Sequence, residues 1–143
     1  MKNVIAIAAG VSDGLGFGDN TKAALITRGL SEIIRLGSKA GAKPETFAGL
    51  SGMGDLIVTC ASKLSRNRSV GERIGKGEPV KDITDNMEQA VEGVWNCVSA
   101  LELAQDMNID VPITEQVHAI IYEGKNPLEA VSALLERDPK PEV

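Results

Sequence analysis

The sequence predicts an all-α fold, and three observations carry that reading. Aromatic residues make up only 3% of the 143 residues. The core must therefore come from Ala, Ile, Leu, Val and Met, which suits closely packed helices better than strands rich in Tyr, Phe and Trp. Apolar residues recur at three- and four-residue steps over several long segments, the period of an amphipathic helix. Nowhere do strand-like segments alternate with helical ones. The length suits one domain with a real core, built from about six to eight helices.

The first segment, "KNVIAIAAGVSDGLG", is apolar on nearly every side up to Ser12. Its period does not separate a buried strand from a buried helix, but Ala6, Ala8 and Ala9 favour a tightly packed helix. It should stop near the glycines that follow. Asp19 and Asn20 offer oxygens to cap the next helix, expected from about Thr21 to Ala40. There Ala23, Ile26, Leu30, Ile33 and Ile34 form the apolar stripe, and Lys22, Ser31, Arg35 and Lys39 mostly face elsewhere. Gly41 marks the stop and Pro44 opens a short turn.

"SGMGDLIVTCAS" reads as a glycine-rich turn followed by a short apolar helix, and "LSRNRSVGERIGKG" as polar and then partly helical. A second long helix is expected from Met87 to Asn108, carrying Val91, Val94, Val98, Leu101 and Leu103 or Ala104, with Asn108 and Pro112 bracketing its end. "PITEQVHAIIYEG" is the next, with Thr114 as candidate cap and Gly124 at the stop. In "NPLEAVSALLERD", Asn126 caps, Pro127 takes the first helical position, and Leu128, Val131, Leu134 and Leu135 form the stripe. The last residues, "PKPEV", should fray.

"GLGFGDNTKAAL" resembles a phosphate-cradling loop at first sight. A dinucleotide fingerprint needs G-x-G-x-x-G directly after a strand, and an acidic residue about 20 positions on for the ribose. Here the spacing is G-x-G-x-G after a helical segment, and Glu32 lies inside an amphipathic helix. The glycines read instead as a hinge between packed helices, placed where backbones reverse or approach closely. No Rossmann domain is expected in this chain.

Composition narrows the function further. A net charge of −5 with few aromatics argues against nucleic-acid binding, which needs a basic surface and stacking rings. Cys60, Cys97 and the single His118 do not make a zinc ligand set, so no metal is expected, and reduced thiols suit a cytoplasmic protein. His118 belongs at a core edge or on the surface. The apolar run "NVIAIAAGV" is too short for a secretory signal or for the roughly 20 residues that span a bilayer.

Several residues carry possible chemistry. "SRNRS", from Ser65 to Ser69, gathers two guanidiniums, an amide and two hydroxyls without a carboxylate. Such donors match phosphate oxygens, although a solvated helix start would use the same residues. Asp55 and Thr59 are four apart and share a helix face behind the "SGMG" turn. Read from residue type alone, Asp55 caps that helix and Thr59 bonds back to it. Lys2, with Asn3 beside it, precedes an apolar helix whose burial can partly desolvate the ammonium and make it a usable base, although by residue type alone a lysine at position two reads as a solvated terminus. In "EQAVEG", Glu92 sits near a helix start, where a carboxylate suits the dipole.

Together, "KNVIAIAAGVSDGLGFGDNTKAALITRGLSEI", "GLSGMGDLIVTC", "LSRNRSVGERIGKG", "AVEGVWN" and "MNIDVPITEQVHAIIYEGKNP" resemble the C-terminal, substrate-binding domain of NAD(P)-dependent glycerol-3-phosphate dehydrogenases. The resemblance covers essentially the whole chain. It implies a multi-helical domain, similar to the C-terminal domain of 6-phosphogluconate dehydrogenase, packed on an N-terminal Rossmann domain that this chain lacks. The implied reaction interconverts glycerol 3-phosphate and dihydroxyacetone phosphate, supplying glycerol 3-phosphate for phospholipid synthesis. By the same resemblance Lys2 is the acid/base, with Asn3 beside it, and Asp55 positions Lys2 and the substrate. Thr59, Ser65, Arg66 and Asn67 complete the substrate site, with Arg66 on the phosphate and also reaching the cofactor. Ala90 and Glu92 fall where the family touches the cofactor, Ala90 being smaller than the residue the family pattern leads one to expect. NAD or NADP serves the complete enzyme; none is expected on this chain alone, which should not turn over without the other domain. Two readings from other classes remain: a stand-alone helical phosphate-binding module, and an oligomerisation module whose apolar faces pair with a second copy.

Overall fold

The computed structural model describes residues 2–39, 41, 56, 58, 60, 65–85 and 92–136. The described residues form helices α1 (Lys2–Leu15), α2 (Asp19–Lys39), α3 (Arg66–Gly75), α4 (Val80–Asp85), α5 (Glu92–Asp106), α6 (Pro112–Tyr122) and α7 (Pro127–Glu136), with no strand among them. Leu56, Val58 and Cys60 are also helical. None of the described helices is long and apolar enough to cross a membrane.

Helix α1 is the centre of the bundle. Every residue from Val4 to Ser12 is buried, which is why its sequence shows no polar face. It packs against α2, α3, α5, α6 and α7. The core joins its Ile5 and Ile7 to Leu25 and Leu30 of α2, Ile74 of α3, Val94 and Cys97 of α5, and Val117 and Val131 from α6 and α7. Leu56 and Cys60 sit in the same core.

The α1–α3 contact is the closest in the fold, and glycine makes it. A methyl on Gly71 would lie 2.0 Å from the Ile7 carbonyl oxygen, and one on Gly10 would lie 2.0 Å from that of Arg68. Gly14 and Gly75 meet in the same way one turn further along. Two backbones thus touch along a pair of G-x-x-x-G ridges, a spacing that puts both glycines of each helix on one face. The matched pairs ascend in number on both helices, so α1 and α3 run parallel and begin at the same end.

The glycine loop is a helix stop. Gly16 adopts φ +85°, the Gly16 amide donates to the Asp13 carbonyl at 3.1 Å and the Phe17 amide to that of Ser12 at 3.2 Å. This is a Schellman ending, in which glycine accepts the left-handed conformation. The expected hinge is therefore present, but Asp19 and Asn20 do not cap α2. The helix already includes them, and the Gly18 carbonyl takes its first described amide, from Lys22 at 3.2 Å. Asp19 instead places a carboxylate in the first turn, favourable to the helix dipole.

Three apolar stripes are rotated from the expected ones. On α2 the buried positions are Leu25, Ile26, Gly29, Leu30, Glu32 and Leu36, while Ala23 is exposed and Ile33 and Ile34 are half-buried. On α5 they are Gly93, Val94, Cys97, Ala100 and Ala104, with Leu103 exposed. On α7 Ala130 joins Val131 and Leu134, leaving Leu128 and Leu135 exposed. Small residues take the places nearest their neighbours, because close helix approach selects for size as well as hydrophobicity. Met87 and Val91, expected in the long helix, lie outside the described residues, as do Ala40, Pro44 and "PKPEV".

Three side chains of α2, at positions i, i+4 and i+7, satisfy main-chain groups at the ends of other segments. Arg28 donates to the Leu134 carbonyl near the end of α7. Arg35 donates to the Asp110 carbonyl at 3.2 Å. Glu32 is buried and accepts from the amide of Ile113, from the amide of Thr114 at 3.3 Å and from the Thr114 hydroxyl at 3.2 Å. The first turn of α6 follows Val111, which has no side-chain cap, so Glu32 performs from another helix the task of an N-cap aspartate. Thr114 is thus a donor to the capping group and not the cap. Burial pushes the Glu32 carboxyl up to about 7, the hydrogen bonds from Ile113 and Thr114 and the Arg35 charge offsetting only part of that push. Asn126 does cap α7, its Oδ1 accepting from Leu128 at 2.9 Å and Glu129 at 3.3 Å.

Candidate functional site

The parallel α1–α3 pair brings Lys2 and Asn3, at the start of one helix, to the same end of the bundle as Ser65, Arg66 and Asn67, at the start of the other. Helix α5 begins there too. The Gly93 amide donates to Asn67 Oδ1 at 2.9 Å, and a methyl on Gly93 would lie 2.9 Å from the Asn3 carbonyl oxygen. The first described residues of α1, α3 and α5 therefore lie together at one pole. Of these helices α3 has a capped N-terminus there, whose dipole end favours an anion, and its first turn carries no acidic residue.

Within that pole the side chains differ in what they have left to offer. Ser65 caps α3: its Oγ accepts from the Arg68 amide at 3.2 Å, which leaves the hydroxyl proton for an outside acceptor. Arg66 is exposed at the first helical position. Asn67 points its carbonyl oxygen to the Gly93 amide, which turns its NH2 donors away from α5. Lys2 is exposed and Asn3 half-buried. The desolvation expected of Lys2 is therefore not supplied by these residues. Asp55, Thr59 and Ala90 lie outside the described residues; Glu92 is described only as the first residue of α5.

The second guanidinium of "SRNRS" has another task. Arg68 is buried and pairs with Asp13 through Nε at 3.0 Å and Nη2 at 2.9 Å, and with Glu72 at 2.7 Å. Asp13 also binds Lys22 at 2.9 Å, and Glu72 binds Lys76 at 2.9 Å. The hydrogen bond from Lys76 holds the Glu72 carboxyl below its usual range. The segment is free of carboxylates in sequence, yet the fold brings two to Arg68. Half of the apparent cationic knot is a strut between α1, α2 and α3, and Arg66 is the half that faces outward.

Other titratable groups are structural. Cys60 and Cys97 are buried free thiols, and burial pushes each up to about 11, so neither is a ready nucleophile. His118 is half-buried on α6, 3.5 Å from Glu123 and with its ring centroid 5.0 Å from that of Tyr122. The Gly93–Asn67 link was not foreseen from the sequence; its one signal there is a glycine directly after Glu92.

The model of the NAD-dependent glycerol-3-phosphate dehydrogenase C-terminus matches residues 1–132. The chain belongs to that family. Glycerol-3-phosphate dehydrogenase [NAD(P)+] of Leptospira biflexa is 56% identical over 99% of the chain, and that of Thermoanaerobacter is 56% identical over all of it. The chain spans 43% of the length of each. The crystal structure of glycerol-3-phosphate dehydrogenase from Coxiella burnetii matches with a TM-score of 0.90 and 49% identity, over 95% of this chain and 42% of that one. The Saccharomyces cerevisiae enzyme matches with a TM-score of 0.82 and 30% identity, over 95% of this chain and 40% of that one. The all-α C-terminal domain of the glycerol-3-phosphate dehydrogenase family is thus the fold and the place of this chain.

Proposed function

We propose that this chain is the substrate-binding half of an oxidoreductase that interconverts glycerol 3-phosphate and dihydroxyacetone phosphate. What supports the reading is the meeting of Asn3, Asn67 and Gly93 at one pole of the bundle, beside the capped start of α3, in a chain of this family. Arg66 grips the phosphate with its planar fork. Ser65 and Asn67 donate to the remaining oxygens. Lys2, with Asn3 beside it, gives a proton to the carbonyl oxygen in reduction and takes it back in oxidation. Asp55 orients Lys2 and the substrate, and Thr59 hydrogen-bonds nearby. Fixed cations and donors hold the three-carbon chain in one geometry, which is the main contribution a binding domain makes to rate.

The cofactor, NAD or NADP, supplies the hydride when bound. The described residues do not fit a dinucleotide cradle: Gly14 packs against α3, and Gly16 ends α1. A Rossmann domain elsewhere in the enzyme would hold it, with Arg66, Ala90 and Glu92 touching it from this side. Trp95 is 64% exposed and Leu128 51% exposed, apolar surface that such a domain or a second copy would cover. The product would feed phospholipid synthesis in the cytoplasm.

Titration calorimetry with glycerol 3-phosphate tests the reading. The chain should bind in roughly the millimolar range, Arg66→Ala should abolish binding, and NADH should not be consumed. Joined to a cofactor domain from a relative, the chain should turn over, and Lys2→Ala should remove that activity. NADH-dependent turnover by the chain alone, or binding indifferent to Arg66, would overturn it.

A further inference from the structure

Gly93 has the smallest side chain at the most crowded point of the pole. A methyl there would lie 2.5 Å from Asn67 Oδ1, 2.7 Å from Ile7 Cδ1 and 2.9 Å from the Asn3 carbonyl oxygen. The last of these is backbone and yields only if α1 and α5 move apart. Its amide donates to Asn67 Oδ1 at 2.9 Å. That bond settles which way the Asn67 amide faces: the oxygen points to α5, so the NH2 must point away from it. An asparagine free to flip could present either group outward; with its oxygen held at the Gly93 amide, this one turns its donors outward.

We propose that Gly93 is a positioning residue, which fixes Asn67 by its amide and by its missing Cβ so that the Asn67 NH2 group donates to a phosphoester oxygen. The inference rests on the substrate reading given above. It assigns Gly93 a role through Asn67, with no contact of its own to the ligand. It also sets the selectivity of Asn67, which discriminates for ligand acceptors and against ligand donors.

Amide exchange and ligand titration of the 15N-labelled chain test this together. Without ligand, Gly93 amide exchange should accelerate roughly tenfold or more in Asn67→Ala, the loss of one hydrogen bond. In Asn67→Asp, which retains the acceptor, it should stay near the wild-type rate. With glycerol 3-phosphate, Asn67→Asp should bind weakly despite that retained bond, because its donors are gone. Gly93→Ala should weaken binding about three- to tenfold in the wild-type background. In the Asn67→Ala background it should add less than about twofold.

An equal loss in both backgrounds, or Gly93 protection indifferent to Asn67→Ala, overturns the inference and leaves the substrate reading standing. Should Gly93→Ala not fold, the two Asn67 variants decide: binding by Asn67→Asp as tight as wild type overturns it. Absence of any saturable shift at Asn3 and Ser65–Asn67 in the wild-type chain, at about 50 mM ligand, overturns the substrate reading itself.

Discussion

Replacing Glu32 by glutamine should change the pH dependence of stability as well as its level. In the folded chain the carboxyl is buried against the first turn of α6 and titrates at about 7 instead of 4.5. Between those values the folded state holds a proton that the unfolded state has released. Stability linked to Glu32 is therefore complete below pH 4.5 and is lost as pH rises through 7. At 1.36 kcal/mol per pH unit, the full span is about 3 kcal/mol. Glutamine has no proton to lose and no such slope. It also replaces one acceptor oxygen by an NH2 that faces the donors of Ile113 or Thr114, at a cost of about 1–3 kcal/mol at low pH.

Urea unfolding of both proteins at pH 5 and pH 8 measures the effect, and subtracting one profile from the other cancels every group except residue 32. The wild type should lose about 1–3 kcal/mol more than Glu32→Gln between the two pH values. The gap between the proteins should thus narrow, or reverse, at pH 8. Parallel profiles would refute the reasoning, because they would mean that Glu32 is ionised in the fold throughout and that the three donors outweigh burial.

Three further outcomes are expected. Gly71→Ala should destabilise the chain by about 3 kcal/mol or more, because its methyl would meet the Ile7 backbone. Gly18→Ala, with open space around it, should fall within about 1 kcal/mol of wild type, and thermal melts compare the two. Arg68→Ala should lower stability by about 2–3 kcal/mol, because it removes the buried partner that Asp13 and Glu72 share and leaves them only Lys22 and Lys76. Arg66→Ala should change stability by no more than about 0.5 kcal/mol while removing glycerol 3-phosphate binding, so denaturation and calorimetry on the same pair separate strut from ligand grip. In 1 M salt the wild-type chain should bind glycerol 3-phosphate several-fold more weakly, since the Arg66 charge is exposed and the Debye length there is about 3 Å.

Much of the architecture was legible along the chain because the controlling interactions are local. Helix α7 is an example: Asn126, Pro127 and the apolar positions behind them lie within a few residues, and they form the expected cap and first turn. Asn108 likewise ends α5 with φ 56°, a conformation that asparagine tolerates on its own account. The family motifs were legible for a different reason: order and identity along the chain survive without knowledge of contacts. "SRNRS", with the other quoted motifs, announced the family in that way.

What required the tertiary structure was every assignment in which two distant segments share one polar group. Arg66 and Arg68 are indistinguishable by residue type, yet one is exposed and the other is held by Asp13, 55 positions away. Glu32 reads as a polar residue on a helix, and only the approach of α6 turns it into that helix's cap. Gly10, Gly14, Gly71 and Gly75 carry no sign of their partners until α1 and α3 are seen in parallel. Periodicity reports which side of a helix is apolar, whereas hydrogen bonds and steric fit depend on what arrives opposite, and that is decided only when the whole chain has packed.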